Sequence, residues 1–402
     1  MKRILICTNH FYPETFRCND VAFELAKRGY EVTVLTAIPD YPKGKFFDGY
    51  GIFSRRKETV EGVKVYRAFI IPRGKGGGLR LLMNYLSIFI SSIAWSLYLG
   101  LFKRFDQVLV HETSPVMIGV PAVIVKRMQR IPMLFWVLDL WPESLQAAGG
   151  INNAAVLKVF GGLTTWIYKN SDKILISSKG FEQSIREKGD FGGKIVYFPN
   201  WADALLHSEV KGGRLEVNMP QGFIVMFAGN IGEAQDFDHI MEATRLLKDE
   251  KEIHFVLVGD GRKRPWVEQF RDENGLQETV HWVGRHPIEM MPLFFEKADV
   301  MLMTLKDVSI FNLTAPAKLQ AYQSAGKPIV AMMNGEGPRI VEEAGCGRSV
   351  AAGDAKALAA VLLEMSKMKK EELYAMGQRG KGYQAEHFEI GKAMRLLEEI
   401  LD

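Results

Sequence analysis

A chain of 402 residues exceeds one typical domain and fits two of about 200 residues each. Its 47% hydrophobic, 24% charged and 11% aromatic content supports buried cores and excludes disorder or a fibre. The formal charge of +4 is spread along the chain and leaves no nucleic-acid footprint, while three distant cysteines (Cys7, Cys18, Cys346) point to reduced thiols in a cytoplasmic compartment.

Met1-Lys2-Arg3 is followed by an apolar run of only about five residues, short of the roughly seven a signal peptide needs, so a buried first strand is expected. Short β-branched runs then alternate with longer amphipathic segments, the pattern of βα units and parallel sheets. Strands are predicted at Arg3–Thr8, Glu31–Thr36, Gln107–His111, Met133–Val137, Lys173–Ser177 and Ile195–Phe198. A second set follows at Phe223–Ala228, His254–Val258, Val280–Val283, Val300–Thr304, Pro328–Ala331 and near Arg348–Ala351. Helices are predicted between them, among them Asp20–Arg28, Phe237–Leu247 and Asp354–Met365. The expectation is an α/β chain of two doubly wound, Rossmann-like domains, 1–203 and 221–382, joined by a polar linker at 204–220 containing Gly212-Gly213 and Pro220. A terminal helix within 383–402, roughly Ile390–Leu401, can pack on either half.

Leu81–Phe102 breaks the pattern. It is nearly continuous apolar sequence, with Arg73, Lys75 and Arg80 before it and Lys103 and Arg104 after it. Its length matches the roughly 20 residues of a membrane span, yet Asn84, Ser87, Ser91 and Ser96 fall close to one helical face. Three readings stand: a core or surface helix of the first domain, a helix pinned in a membrane interface by its basic flanks, or a true span.

The turn after the first strand, Asn9-His10-Phe11-Tyr12-Pro13-Glu14, has no glycine and so lacks the dinucleotide fingerprint; no Walker loop and no Gly-x-Ser-x-Gly elbow occurs. The histidines show no metal spacing, and no metal site is expected. His10 and Glu14, and after the fourth predicted strand Asp139, stand where a doubly wound sheet binds ligands; Asp139 is a candidate either for chemistry or for capping the next helix. In the second half, Ala228-Gly229-Asn230-Ile231-Gly232 follows a strand and is expected to open a helix, with backbone N–H groups free to face an anion. Asp236 and Asp238 are expected as helix-start residues rather than metal ligands, and Gly259-Asp260-Gly261 is a turn at the same sheet edge. In the run from Leu313 to Pro328, Thr314 is the expected N-cap, Pro316 fits the first turn and Gly326 ends the helix. Lys318 then lies in a first turn, where the helix dipole disfavours a cation unless a phosphate is bound beside it.

Several segments, in this order, resemble glycosyltransferase family 4, and more closely its bacterial capsule and O-antigen enzymes of the WbuB-like, L-fucosamine or colanic-acid type. They are Phe11-Tyr12-Pro13-Glu14, the stretch from Ile38 to Lys45, Asp139-Leu140-Trp141-Pro142-Glu143-Ser144, Pro199-Asn200-Trp201, Ala228 to Gly232, Ala298-Asp299-Val300, and Pro316-Ala317-Lys318 through Pro328. The resemblance implies the GT-B fold, two such domains with a deep cleft between them, and retaining transfer from a UDP-sugar with no required metal or other cofactor. It implies a nucleotide-sugar-binding second domain, with Gly229, Asn230, Lys318 and the amides of Leu313 and Thr314 on the diphosphate, Gly259 at the same edge and Arg285 near the base. Asp139, Glu14 and Lys318 are the candidate catalytic residues. The implied acceptor of the first domain is a lipid-diphosphate-linked saccharide, reached by peripheral contact with the cytoplasmic face of the inner membrane, and the sugar moved is N-acetylated, such as the 6-deoxy L-FucNAc. Leu313 and Ala321 stand where the family commonly has two glutamates, Leu138 where it has a histidine, and Asn230 and Gln235 near its usual Arg and Lys. With those side chains replaced, a UDP-sugar epimerase and a non-catalytic sugar-nucleotide-binding subunit remain the rival readings.

Overall fold

The computed structural model describes residues 1–74, 78–149, 152–203 and 215–402. Lys75 and most of the expected linker, including Gly212-Gly213, lie outside the described residues.

The chain divides into two compact units, Met1–Phe198 with Ala393–Asp402, and Pro199–Lys392. In the first, the order is β1 (Arg3–Thr8), α1 (Arg17–Lys27), β2 (Glu31–Ala37), β3 (Lys57–Val60), β4 (Val63–Ala68), α2 (Gly78–Phe102), β5 (Gln107–Glu112), α3 (Gly119–Gln129) and β6 (Met133–Val137). It continues through α4 (Glu143–Gly149), α5 (Ala154–Asn170), β7 (Lys173–Ile176), α6 (Phe181–Glu187) and β8 (Ile195–Tyr197). These strands form one eight-stranded sheet, β3-β4-β2-β1-β5-β6-β7-β8. Every pairing is parallel except β3 with β4. Every residue of β5 and β6 is buried, as befits central strands covered by helices on both faces.

The β3–β4 hairpin is absent from the predicted strands. Lys57-Glu58-Thr59-Val60 is polar and half exposed, as an edge strand tolerates, so its alternation is faint. The missed signal is Glu61-Gly62, whose φ of 47° and 81° makes the two-residue turn that a hairpin favours.

The second unit runs β9 (Phe223–Ala228), α7 (Phe237–Leu246), β10 (Ile253–Val258), α8 (Arg264–Glu273), β11 (Val280–Gly284), α9 (Met291–Lys297), β12 (Val300–Thr304), α10 (Ser309–Leu313) and α11 (Ala317–Ser324). β13 (Ile329–Met332), α12 (Glu336–Glu343), β14 (Gly347–Val350), α13 (Ala355–Ser366) and α14 (Lys370–His387) follow. Its six strands are all parallel, in the order β11-β10-β9-β12-β13-β14. The last helix, α15 (Ile390–Leu401), returns to the first unit, where Leu401 O accepts from Lys2 Nζ at 2.7 Å and Glu398 pairs with Arg28 at 2.7 Å.

α2 is the apolar helix seen in the sequence. Its polar row faces the first unit: Asn84 Nδ2 donates to Ile71 O (2.7 Å), Ser91 Oγ to Phe69 O (2.6 Å) and Trp95 Nε1 to Arg67 O (3.1 Å). The helix therefore lies on the surface of that unit, tied down along one face. Its opposite face carries Leu79, Leu82, Leu86, Ile90, Leu97 and Leu101, which stay 43% to 73% exposed.

Candidate functional sites

In a doubly wound sheet the strand order reverses where neighbouring strands run off in opposite directions, and ligands bind beyond the carboxyl ends there. In the first unit that point is β1, flanked by β2 and β5. Past β1, His10 and Glu14 are both buried, with His10 Nδ1 2.8 Å from Glu14 Oε2. Arg73 donates to His10 Nε2 at 2.9 Å, and a guanidinium only donates, so the Nδ1–H of His10 donates to Glu14. The other oxygen of Glu14 accepts the backbone N–H groups of Asp40 (2.8 Å) and Tyr41 (2.6 Å). Both oxygens of the buried Glu14 carboxylate are therefore engaged, and it ties His10 to the 40–41 loop. Phe16 stacks on His10 at 4.6 Å, and burial raises the pKa of Asp40, whose Oδ2 accepts from the Arg73 N–H at 2.8 Å.

Asp139 lies just past β6 and is only partly buried. Its two carboxylate oxygens accept the hydroxyls of Ser114, past β5, and Ser144, in the first turn of α4. The side chain thus reaches a helix-start hydroxyl as well as a neighbouring loop, and Trp141 Nε1 holds Ser114 Oγ at 3.0 Å. Beneath it Glu112, the last residue of β5, accepts the N–H groups of Leu138 (3.3 Å) and Asp139 (3.2 Å) on Oε2. Burial, reinforced by the charge of Asp139, pushes the Glu112 carboxyl well above the ordinary range. Glu112 was not singled out in the sequence. The signal available was a carboxylate directly after the apolar run Val108-Leu109-Val110 and His111, at the end of a buried strand, the logic that marked Asp139. With its pKa raised on folding, Glu112 destabilises the fold as pH rises past the ordinary glutamate value, where the unfolded chain loses the proton first. Glu112→Gln should therefore gain thermal stability relative to wild type as pH is raised from 5 to 8. Parallel melting curves would show instead that Glu112 is ionised in the fold.

In the second unit the reversal falls at β9, flanked by β10 and β12. The glycine turn after it does not open α7 directly: a 3₁₀ turn, Glu233–Gln235, intervenes. Gly229 and Ile231 donate their N–H groups to Val258 O (2.8 Å) and Asp260 O (2.9 Å). The amides of Asn230 and Gly232 have no protein acceptor among the described residues. Gly259 sits so close that a Cβ there would meet Gly229 O at 1.9 Å; its N–H donates to Gly284 O and its carbonyl accepts from Trp282 Nε1, both at 2.8 Å. Gly259 shapes the turn.

Lys318 is the second residue of α11, within its first turn. Four residues on, on the same helical face, the Tyr322 hydroxyl brackets the N–H and C=O of Ala228, both at 3.1 Å. That pins α11 to the end of β9 and lays the lysine over the following residue. A Cβ on Gly229, whose φ is 143°, would meet Lys318 Cε at 2.7 Å. The amine donates to Gln235 Oε1 and lies 3.8 Å from the centre of the Phe227 ring. The residue keeps some exposure, but its amine is packed among these groups with no carboxylate in ion-pair range among the described residues. It is the amine's surroundings that govern its proton affinity, and burial lowers its pKa to about 7.

Other expected residues are placed differently. Thr314 is not the N-cap of α11; it caps the C-terminus of α10, and its N–H donates to Phe311 O at 3.2 Å. Pro316 disfavours helical backbone at Ala315, so the helix starts after the proline, which becomes the N-cap. Leu313 ends α10, so these two amides lie at a helix C-terminus rather than an N-terminus. Arg285 is exposed in the loop after β11, without a contact to the Lys318 cluster. Asp236 hydrogen-bonds His239 (2.8 Å) and Asp238 pairs with Lys263 (2.8 Å), at the N-cap and in the first turn of α7.

The family description "Glycosyl transferase 4-like domain" matches residues 15–201, and "Glycosyl transferases group 1" matches 222–367. The chain is a GT-B glycosyltransferase of the family 4 type. It is 26% identical over 307 residues to WbjE of Pseudomonas aeruginosa, named as a glycosyltransferase, covering 75% of this chain and 76% of that one. Identity to WcaI of Escherichia coli, named for colanic acid biosynthesis, is 24% over 296 residues and 70% of each. Among solved structures, Anabaena HepE in complex with UDP and glucose superposes with a TM-score of 0.69 at 13% identity, covering 100% of this chain and 99% of HepE. Sucrose-phosphate synthase from Thermosynechococcus elongatus does so at 0.74 and 15%, covering 100% and 98%. The transferase is an enzyme of bacterial polysaccharide biosynthesis.

Proposed function

We propose that the transferase moves an N-acetylated sugar, such as the 6-deoxy L-FucNAc, from a UDP-sugar to a lipid-diphosphate-linked saccharide in capsule or O-antigen synthesis, with retention. The observation that carries the donor side is Lys318. An amine packed over Gly229 with no carboxylate partner among the described residues, in a turn whose Asn230 and Gly232 amides have no protein acceptor among them, is an arrangement that a diphosphate would neutralise. As the bond from the anomeric carbon to the diphosphate breaks, negative charge grows on the leaving oxygens, and a donor set already in place stabilises it. HepE, which shares the fold, has been solved with UDP and with UDP-glucose, in keeping with a uridine nucleotide. On this reading the second unit holds the donor and the first the acceptor, and Asp139, steadied by Ser114 and Ser144, is the proposed catalytic carboxylate. Arg285 is proposed to reach the base. The exposed apolar face of α2, with the exposed cations Arg80, Lys103 and Arg104 at its ends, fits an anionic bilayer and supports peripheral contact with the cytoplasmic face of the inner membrane.

A panel of UDP-sugars incubated with a lipid extract, read by product mass, tests this reading. One UDP-N-acetylamino sugar is expected to extend a lipid-linked saccharide, and EDTA should leave the rate largely intact, because Asp236 and Asp238 are engaged by His239 and Lys263. Donor consumption without acceptor would favour an epimerase; loss of activity restored by manganese would make the two aspartates ligands.

A further inference from the structure

Beside the apolar stripe of α2 a groove of about 330 Å³ opens between α2 and β3, lined by Arg56, Lys57, Ser91, Ala94, Trp95 and Tyr98. Ala94 is exposed between Ile90 and Leu97 of the stripe and lines the groove, so groove and stripe are continuous. The Lys57 ammonium lies 5.8, 5.3 and 5.1 Å from the ring centres of Tyr66, Trp95 and Tyr98. Ring faces hold a cation without neutralising it. Arg56 Nε and Trp95 Nε1 both donate to the carbonyl of Arg67, at 2.7 and 3.1 Å, which fixes the two walls against each other. Neither Arg56 nor Lys57 has a carboxylate partner among the described residues, although Glu58 lies between them and Arg67; that acid is taken by Arg67. Two uncompensated cations framed by a Trp and a Tyr, next to a stripe of exposed leucines, combine the features that mark the headgroup level of a membrane protein, where aromatic rings and basic side chains meet lipid phosphate.

We propose that this groove binds the phosphate of an anionic phospholipid, with Lys57 and Arg56 on the phosphate and Trp95 and Tyr98 beside the glycerol and upper acyl chain. The inference rests on the membrane reading of α2 made above and adds a defined lipid site to it. The site would set the rotation of α2 in the interface, since a phosphate gripped on one flank fixes which leucines point into the bilayer.

Two measurements on the full chain separate the site from the membrane reading. Short-chain phosphatidylglycerol below its micelle concentration is expected to bind one to one and to shift the indole resonance of Trp95, while short-chain phosphatidylcholine binds at least about fivefold more weakly, the worth of one cation on an anionic headgroup. Lys57→Gln should remove most of that preference, whereas Lys158→Gln, the same charge change at an exposed position on α5 outside the groove, should leave it intact. The Lys57 side chain makes no hydrogen bond among the described residues, so Lys57→Gln keeps the test clear of the structural ties of Arg56. Absence of saturable phosphatidylglycerol binding, or equal loss in the two variants, overturns the lipid site even if the protein floats with anionic vesicles. Failure to float with vesicles of any composition overturns the membrane reading as well.

Discussion

Lys318→Ala is expected to weaken UDP binding by about ten- to a hundredfold, the worth of one charge-assisted contact. Turnover should fall further, because charge on the leaving diphosphate grows in the transition state. Uridine, which carries no phosphate, should bind wild type and variant alike. The lowered pKa adds a pH signature. In the empty site the amine begins to lose its proton at about pH 7, so above that pH UDP must bring a proton in with it. Wild-type Kd for UDP should therefore rise by up to about tenfold per pH unit above 7, and the variant should lack this slope. Stability moves the other way. From about pH 7 up to the ordinary lysine value the unfolded chain holds a proton that the folded chain lacks, so the wild-type fold gains stability as pH rises through that window. Lys318→Ala should match or exceed wild-type stability at pH 6, with the advantage fading as pH rises. Equal losses for uridine and UDP in a calorimetric titration would show that the residue shapes the fold rather than holding phosphate.

Asp139→Asn is expected to lower turnover more than tenfold while leaving UDP affinity nearly unchanged. The local structure should survive, because a serine hydroxyl donates or accepts by rotation and can pair with either end of an amide, so Ser114 and Ser144 keep their partner. What changes is the charge. With Glu112 held towards its neutral form, Asp139 is the carboxylate that supplies negative potential at this sheet edge. A variant that melts earlier but turns over normally per folded molecule would make Asp139 a structural tie and nothing more.

Most of the frame was legible because it depends on local periodicity. Strands such as Arg3–Thr8, Phe223–Ala228 and Val300–Thr304 are short apolar runs whose limits in the structure match the sequence expectation. Lys318 and the Gly229 turn could also be found, since a cation in a first helical turn and a glycine after a strand are local anomalies. Thr314 and Glu14 show where this logic stops. Both were placed from chain position, and their contacts come from the fold: the proline two residues on shifts the cap from Thr314, and Glu14 meets His10 and the Asp40 and Tyr41 amides. Arg73 and Asp40 had been noticed only as a basic flank and as part of a motif; their link to His10 is a contact across more than 60 residues for Arg73 and needs the folded sheet to exist.

By itself the sequence determined the parallel strands of the two sheets and their order along the chain, the β3–β4 hairpin excepted, and the loops that stand at the ligand-binding edge, because burial patterns and turn residues act over a few neighbours. Only the tertiary structure decided how those loops are used. Both Glu14 and Asp139 have their two carboxylate oxygens engaged, and part of each set of donors comes from another loop: the Asp40 and Tyr41 amides for Glu14, the Ser114 hydroxyl for Asp139. The proton affinity of Lys318 likewise follows from Phe227, Gly229 and Gln235, residues 83 or more positions away that no local pattern relates to it. The placement of α15 on the first unit is of the same kind: an amphipathic helix carries its apolar face in its sequence, but the surface that covers that face is chosen by the fold.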